Sequence, residues 1–184
     1  MIVTLSGVTG TGKSFFKKAI SQELSFKNLV IVTTREKRSG EINGIDKEFV
    51  SDKEFEELKR ENKIAVDFEF LGSKYAYRKK DLNSDENQVT EVHYNTIYEF
   101  KKNAKELFAI YIIPNDLERA KQELRKRELA EEVEQKRLKE IDEHINEYKH
   151  NKELQKQFDY VFINDYSERA KNKLFEIIKN RRSK

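Results

Sequence analysis

The sequence predicts an α/β protein in which a parallel sheet is covered by helices on both faces. Three observations support this fold class. Short apolar segments alternate with helical segments along most of the chain, a glycine-rich loop joins the first such pair, and residues 34–87 depart from the alternation. A chain of 184 residues has the length of one domain, with room for a small inserted subdomain.

Apolar, β-branched segments mark the strands expected in the core sheet. They are residues 2–5, 29–33, 88–92, 107–113 and 160–163. Between most of these strands, apolar residues recur with the period of a helix. The expected helices are residues 13–24, 95–104, 116–127, 133–149 and 166–180. Strands that alternate with helices of this length favour a parallel sheet, because parallel neighbours need long crossover connections.

The segment 34–87 has a different pattern, which predicts a small mixed sheet inserted into the parallel one. Ser51 and Glu54 have the spacing of a capping box and should open a short helix that runs through Leu58. Apolar side chains then stand at every second position, which is the period of a half-buried strand. The residues expected on one face of this strand are Ile64, Val66, Phe68 and Phe70.

The glycine-rich loop is a complete phosphate-binding motif of the form G-x-x-x-x-G-K-[ST]. Its residues are Gly7, Val8, Thr9, Gly10, Thr11, Gly12, Lys13 and Ser14. A predicted strand precedes the motif and a predicted helix follows it, which is the context that the motif needs. Glycines let backbone N–H groups converge on phosphate oxygens, Lys13 supplies a mobile cation, and the Ser14 hydroxyl would bind Mg²⁺. The motif predicts a protein that binds a nucleoside triphosphate.

The composition and charge of the chain exclude several classes of protein and of partner. The 37 basic and 34 acidic residues nearly cancel, to a net charge of +3, and no nucleic-acid-binding motif is present, so we expect no nucleic-acid partner. We interpret the basic C-terminal cluster, residues 179–184, as a solvated tail. The absence of cysteine excludes disulfides and cysteine-ligated metals. No signal peptide or apolar span of about 18 residues is visible, so we expect a soluble cytoplasmic protein without a membrane partner.

A second motif lies in the inserted segment, where residues 33–50 read TTREKRSGEINGIDKEFV. This segment strongly resembles the guanylate kinase family, whose pattern is T-T-R-x-x-R-x-G-E-x-x-G-x-D-Y-x-F-V. Every specified position matches except the tyrosine, which is Lys47 here. The resemblance continues along the chain through Gly72-Ser73-Lys74-Tyr75, Arg127, Arg137 and Ile163-Asn164-Asp165.

The resemblance implies a single domain, residues 1–184, with the three-layer fold of P-loop nucleoside-triphosphate hydrolases. The core would comprise residues 1–33, 88–127 and 138–184, the acceptor-binding subdomain residues 34–87, and a helical lid residues 128–137. It also implies the function: transfer of the γ-phosphate of ATP to GMP, giving ADP and GDP.

The resemblance assigns site residues as well. ATP would bind to Gly7 through Ser14 and to Asn164, and Mg²⁺ to Ser14 and, through water, to Glu91. The residues expected to act in catalysis are Lys13, Arg35, Arg127 and Arg137. Those expected to bind the acceptor are Arg35, Arg38, Glu41, Tyr75, Tyr77 and His93. Independently of the resemblance, two arginines three positions apart can clamp a doubly charged phosphate.

The sequence departs from the family on the side that recognises the base. Val66 stands where the family has a glutamate, His93 where it has an aspartate, and Tyr77 where it has serine or threonine. Ile31 replaces a serine of the phosphate site, and Ala76 replaces a glycine. Guanine presents N1–H and N2–H₂ donors that call for acceptors, so we expect its selection over other bases to be weaker than in the family.

Two alternatives stay open at this stage. A related P-loop kinase could use the same donor loop with a different phosphorylated acceptor. A non-catalytic guanylate-kinase-like binding module is also possible, although such modules typically lose the phosphate loop, which is whole here.

Overall fold

Two β-sheets organise the chain in the computed structural model, which describes residues 1–70, 72–127 and 129–182. The strands are β1 (Ile2–Ser6), β2 (Lys27–Asn28), β3 (Val32–Thr33), β4 (Glu48–Phe49), β5 (Ile64–Phe70), β6 (Ser73–Arg78), β7 (Gln88–Glu91), β8 (Leu107–Pro114) and β9 (Tyr160–Asn164). The helices are α1 (Lys13–Glu23), α2 (Asp52–Arg60), α3 (Lys79–Leu82), α4 (Ile97–Asn103), α5 (Leu117–Arg125), α6 (Glu131–His150), α7 (Lys152–Gln155) and α8 (Glu168–Arg182).

The larger sheet is parallel throughout, in the order β2-β7-β1-β8-β9, which confirms the predicted fold class. Its central strand β1 is buried along its whole length, as expected for a parallel sheet covered on both faces. Val3 and Leu5 pack in the cluster that contains residues of α1 and α8. Ile2 packs on the opposite face, in the cluster that contains Ile97 and Phe100 of α4.

The predicted strand 29–33 is wrong, because the structure divides this region between the two sheets. Lys27 and Asn28 form a short edge strand beside β7 in the parallel sheet. Val32 and Thr33 belong to the second sheet, where β3 pairs parallel with β4 and antiparallel with β6. Leu29 and Ile31, which lie between them, are buried, so the apolar pattern alone could not show that the backbone changes sheets.

The second sheet, in the order β4-β3-β6-β5, is the mixed sheet predicted for the inserted segment. The observed helix α2 begins with the predicted capping box, in which Ser51 and Glu54 bond reciprocally. The single apolar face predicted for β5 is not observed, because the register shifts between Ile64 and Val66. Ile64 therefore packs beside Phe55, in a different cluster from Val66 and Phe68.

The ends of the predicted helices agree with the observed ones within two residues. The lid assigned to residues 128–137 stays a prediction. Glu128 lies outside the described residues, and residues 131–137 form the first turns of the continuous helix α6. Residues 183–184 of the basic C-terminal cluster also lie outside the described part of the chain. None of the described helices combines the length and the apolar character that crossing a bilayer requires.

Candidate active site

The phosphate loop connects the buried strand β1 to α1, and two of its glycines have conformations that other residues adopt at a cost. Gly10 and Gly12 both have a φ of 84°. A Cβ atom on Gly10 would lie 2.1 Å from the backbone oxygen of Ala120 in α5. Backbone of the loop therefore packs directly against α5, which only glycine allows here. Because α1 begins at Lys13, its first-turn N–H groups belong to the end of the loop.

The Lys13 ammonium group lies over the loop that precedes it. Its Nζ donates hydrogen bonds to the carbonyl oxygens of Gly7, at 2.8 Å, and Val8, at 2.7 Å. Burial lowers the pKa of Lys13 to about 8, with Glu91 opposing the shift and Arg127 adding to it. Negatively charged phosphate oxygens would compensate the desolvation of the Lys13 ammonium group better than neutral carbonyl oxygens do. The site therefore favours binding of an anion beside Lys13.

A cavity of about 610 Å³ opens beside this lysine, within the range of volumes that small-molecule sites occupy. The predicted site residues that it brings together are Thr9, Gly10, Gly12, Lys13, Ser14, Glu91, Arg127 and Asn164. Residues of α5 and of the loop after β9 complete the wall. Those that the sequence analysis did not identify include Arg119, Glu123 and Tyr166.

Asn164, at the end of the edge strand β9, and Tyr166 form hydrogen bonds with the backbone of the phosphate loop. Asn164 Nδ2 donates to the backbone oxygen of Thr11, and the Tyr166 hydroxyl donates to that of Gly10, both at 3.0 Å. Asn164 Oδ1 accepts from the Tyr166 N–H at 2.8 Å. The Arg119 guanidinium lies 5.1 Å from the centre of the Tyr166 ring. Tyr166 has a φ of 61°, and no sequence pattern signalled this role.

The structure brings together Arg35, Arg38 and Glu41, three of the residues predicted to bind the acceptor. Arg35 Nη2 donates to both carboxylate oxygens of Glu41, at 2.6 and 2.9 Å. The backbone N–H of Arg38 donates to the same carboxylate at 2.8 Å, and its side chain is exposed. The hydrogen bonds from Arg35 are the main reason that the pKa of Glu41 is lowered. Glu41 therefore orients one guanidinium and leaves the other in solvent.

Lys47, which stands where the family has tyrosine, is influenced by the charges of Arg35 and Glu41. Its sequence position had indicated no role. Burial lowers its pKa, and repulsion from Lys17 of α1 and from Arg35 lowers it further. Glu41 and Glu91 act in the opposite direction. The charge of Lys47 is thus influenced both by α1 and by the segment 33–50 to which it belongs.

The two tyrosines of β6 have different environments. Tyr75 is half-buried and stacks on Phe68, with ring centres 5.3 Å apart. Tyr77 is 2% exposed, and its hydroxyl lies 3.3 Å from Thr90 Oγ1 and 3.2 Å from the backbone oxygen of Glu91. The contact of Tyr77 with the acceptor stays a prediction, and in this structure the side chain is a buried core residue. The large ring fills core space against Phe100, 4.6 Å between centres, where a serine would be small and polar.

The two predicted lid arginines also separate. Arg127 lines the cavity beside Lys13. Arg137 Nη1 instead donates to Glu140 at 3.1 Å, and its guanidinium lies 5.4 Å from the centre of the Phe70 ring. In this structure Arg137 contacts the end of β5 and does not line the cavity.

His93 follows β7, immediately beyond Glu91 and Val92. Its exposed ring stacks on Tyr94, at 4.5 Å between centres, and meets the edge of His144 of α6 at 5.6 Å. Its Nδ1 accepts from the Asn95 N–H at 3.4 Å. Desolvation lowers the pKa of His93, and repulsion from His144 and Lys13 adds to this shift.

The described residues contain no group of three His, Cys, Asp or Glu side chains that could hold a metal ion by itself. Ser14 and Glu91 nevertheless line the same cavity. An alcohol and a carboxylate are the oxygen ligands that Mg²⁺ takes from proteins when substrate phosphates and water supply the rest. The residues present therefore fit a magnesium ion that arrives with a nucleotide.

A parallel sheet whose central strand ends in a complete phosphate loop, beside a cavity lined by three basic side chains and three carboxylates, defines a P-loop nucleotide kinase. The chain belongs to the guanylate kinase family, because the model of that family, described as "Guanylate kinase", matches residues 1–181.

Individual relatives agree with this membership. The guanylate kinase of Rickettsia prowazekii (strain Madrid E) is 31% identical over 189 residues, covering 100% of this chain and 93% of the relative. That of Rickettsia felis (strain ATCC VR-1525 / URRWXCal2) is 32% identical over 189 residues, covering 100% and 95%. Among solved structures, guanylate kinase from Anaplasma phagocytophilum has a TM-score of 0.71 at 25% identity, covering 100% of this chain and 87% of that one. Shikimate kinase from Bacteroides thetaiotaomicron, with a TM-score of 0.51 at 15% identity, covering 97% and 98%, shows likeness of fold alone.

Proposed function

We propose that this protein transfers the γ-phosphate of ATP to GMP, giving ADP and GDP. The observation that carries the proposal is the position of Lys13, whose buried ammonium group has only the loop carbonyls of Gly7 and Val8 as hydrogen-bond partners among the described residues. Family membership supports GMP as the acceptor, since the curated relatives are guanylate kinases.

The donor binds in the cavity of about 610 Å³, with its phosphates on residues 7–14. Arg127, which follows α5, neutralises charge that develops on the transferring group. Ser14 and, through water, Glu91 would hold Mg²⁺, which supplies further charge neutralisation on the phosphates when it is bound.

The acceptor phosphate binds to the subdomain formed by residues 34–87. Arg35 is oriented for this by Glu41, and the exposed Arg38 side chain completes the clamp. An oxygen of the acceptor phosphate attacks the γ-phosphorus, a P–O bond forms, and the bond to the bridging oxygen of ADP breaks. The residues contribute position and charge, and no covalent intermediate with the protein is needed.

A lid formed by residues 128–137 is part of the proposal. The arginines at its two ends differ in position, since Arg127, immediately before it, already lines the cavity, and Arg137, its last residue, contacts Phe70. Closure would exclude water from the reacting phosphates, which otherwise competes as the nucleophile.

A coupled assay with ATP, Mg²⁺ and each of GMP, AMP, CMP and UMP tests the proposal. We expect GMP to be the best of the four acceptors. Lys13→Ala should leave the protein folded by circular dichroism and reduce turnover by about three orders of magnitude or more, because the cation on the transferring phosphates is lost. A wild-type protein that binds ATP but phosphorylates none of the four would contradict the proposal and favour a non-nucleotide acceptor.

A further inference from the structure

His93 lies where an acceptor base can reach it. It follows β7, whose neighbour β1 ends in the phosphate loop, so both open on the carboxyl edge of the parallel sheet. Ligands of open α/β sheets bind in the crevice outside this edge. The side chain is exposed, and the positive charge of Lys13 contributes to lowering the pKa of His93. The inference that follows rests on the proposed function, in which this crevice holds a nucleotide.

The hydrogen bond at Nδ1 decides what the imidazole can offer. Nδ1 accepts from the backbone N–H of Asn95, so it carries no proton, and a neutral ring must then carry its proton on Nε2. Loss of hydration and repulsion from His144 and Lys13 lower the pKa of His93, while Glu147 and Glu140 raise it less. The ring is therefore neutral near pH 7. Within the described part of the chain, Nε2 has no hydrogen-bond partner. The Nε2–H group of His93 is therefore a free hydrogen-bond donor.

The two carboxylates that act on the charge of His93, Glu140 and Glu147, are already engaged. Glu140 accepts a hydrogen bond from Arg137, and Glu147 accepts one from the Tyr94 hydroxyl. Asp67 of β5 forms an ion pair with Lys59 of α2, at 2.7 Å. Guanine differs from hypoxanthine only in its 2-amino group, which needs an acceptor of this kind.

Val66 of β5 and Tyr77 of β6, which stand where the family has residues that recognise the base, provide no such acceptor. Val66 is apolar and buried, and the Tyr77 hydroxyl is occupied by Thr90 and the backbone of Glu91. The Nε2–H of His93, in contrast, has no hydrogen-bond partner among the described residues and is available to a base. This donor can recognise a base only through an acceptor atom that the base carries. O6 of a 6-oxopurine is such an acceptor, whereas adenine has an amino group at the same position.

We propose that His93 is a specificity-determining residue whose Nε2–H donates to O6 of the acceptor base, so that the substrate class is the 6-oxopurine nucleoside monophosphates, GMP and IMP alike. The 2-amino group of guanine is not read. AMP is disfavoured because its 6-amino group meets another donor.

The wild-type protein tests this with kcat/KM for GMP, IMP and AMP at saturating ATP and Mg²⁺. We expect the values for GMP and IMP to agree within about tenfold, and AMP to be poorer than both by about 10- to 100-fold. A site that hydrogen-bonds the 2-amino group would reject IMP by about 10³-fold or more, because buried acceptors would be left unpaired. A GMP preference of that size over IMP overturns the inference while the proposed function stands. Absence of activity on all three overturns both.

Two variants separate a reading role from a structural one. His93→Ala removes the donor, so kcat/KM for GMP and IMP should fall by the same factor, about tenfold, while that for AMP stays unchanged. His93→Asn, a matched variant, keeps an N–H donor on a short side chain and should retain more of the discrimination between 6-oxo and 6-amino purines. An equal loss on GMP, IMP and AMP in His93→Ala would show that His93 only supports the fold, and would overturn the assignment.

Discussion

The guanidinium of Arg137 lies 5.4 Å from the centre of the Phe70 ring and joins α6 to the tip of the β5–β6 hairpin. Below this contact, Ile141 and Ile145 of α6 pack with Val8 of the phosphate loop and Leu124 of α5. Helix α6 is therefore anchored beside the phosphate loop and also makes a cation–aromatic contact with the end of β5. Because this contact is partly exposed, it can open and re-form at low energetic cost.

The contact between Arg137 and Phe70 should couple the acceptor site to α6. Phe70→Ala should raise KM for GMP by about two- to fivefold, since an exposed cation–π pair contributes about 0.5–1 kcal/mol. In a double-mutant cycle, Arg137→Gln should have a smaller effect when Phe70 is already alanine. Tyr98→Ala, which removes the similar but distant pair with Lys102, is the control. Strictly additive effects of the two substitutions would contradict the coupling.

Lys13 should destabilise the free protein, because its pKa falls from 10.5 to about 8 on folding. Below pH 8 both states carry the proton and the penalty is complete. Between pH 8 and 10.5 the unfolded state binds more protons, so stability rises with pH, and above 10.5 the penalty is gone. Lys13→Met should therefore raise the free energy of unfolding by about 1–3 kcal/mol at pH 7 while abolishing turnover.

Urea denaturation of wild-type and Lys13→Met protein at pH 7 and pH 10 measures this difference. The gain from Lys13→Met should shrink at the higher pH. Lys18→Met, on the exposed side of the same helix, is the matched control and should change little at either pH. A gain that is equal at both pH values would show that packing, and not the charge, is responsible.

Two glycines with similar φ angles should respond very differently to alanine. At Gly10 the new Cβ would lie 2.1 Å from the Ala120 oxygen, whereas at Gly44, with a φ of 79°, nothing lies within 4 Å. Gly44→Ala should cost only the strain of a positive φ, about 1–2 kcal/mol. Gly10→Ala should cost several kcal/mol more and weaken ATP binding, because the loop must move away from α5. Thermal unfolding and ATP titration measure the two effects. Equal destabilisation would mean that the loop relaxes freely.

The acceptor clamp should respond to substitution without affecting the donor. Arg35→Gln or Arg38→Gln should weaken GMP binding by about 1.5–3 kcal/mol and leave ATP affinity almost unchanged. The double variant should lose less than the sum of the two, because both arginines bind one phosphate. Isothermal titration with each nucleotide checks this. Equal losses for ATP and GMP would indicate a change in folding or in the lid.

The phosphate loop and its context were predictable because the motif is local. Eight consecutive residues between one strand and one helix contain all the conformational information, and the cavity indeed forms around them. The acceptor motif is local as well, since Arg35, Arg38 and Glu41 lie within seven residues and bond to one another. The capping box of α2 is a third such case.

Features that depend on distant partners were predicted less well. The pattern at Ile64 and Val66 indicated one shared face, but the shifted register of β5 against β6 sends them to different clusters. Tyr77 was assigned to the acceptor and is a core residue. Burial of Val66 also means that a glutamate placed there would lose its hydration, so restoring the family's carboxylate would destabilise the fold.

By itself, the sequence determined the class of protein, the phosphate-loop motif and the pair of arginines predicted for the acceptor, because spacing along the chain is enough to define them. Only the tertiary structure decided that the chain crosses between sheets after Asn28, that Arg137 meets Phe70, and that Nδ1 of His93 accepts a hydrogen bond from Asn95. Each of these features depends on strand pairing and on the hydrogen bonds and packing that result from it. Residues far apart in sequence determine these contacts, because they pack together in the same buried region.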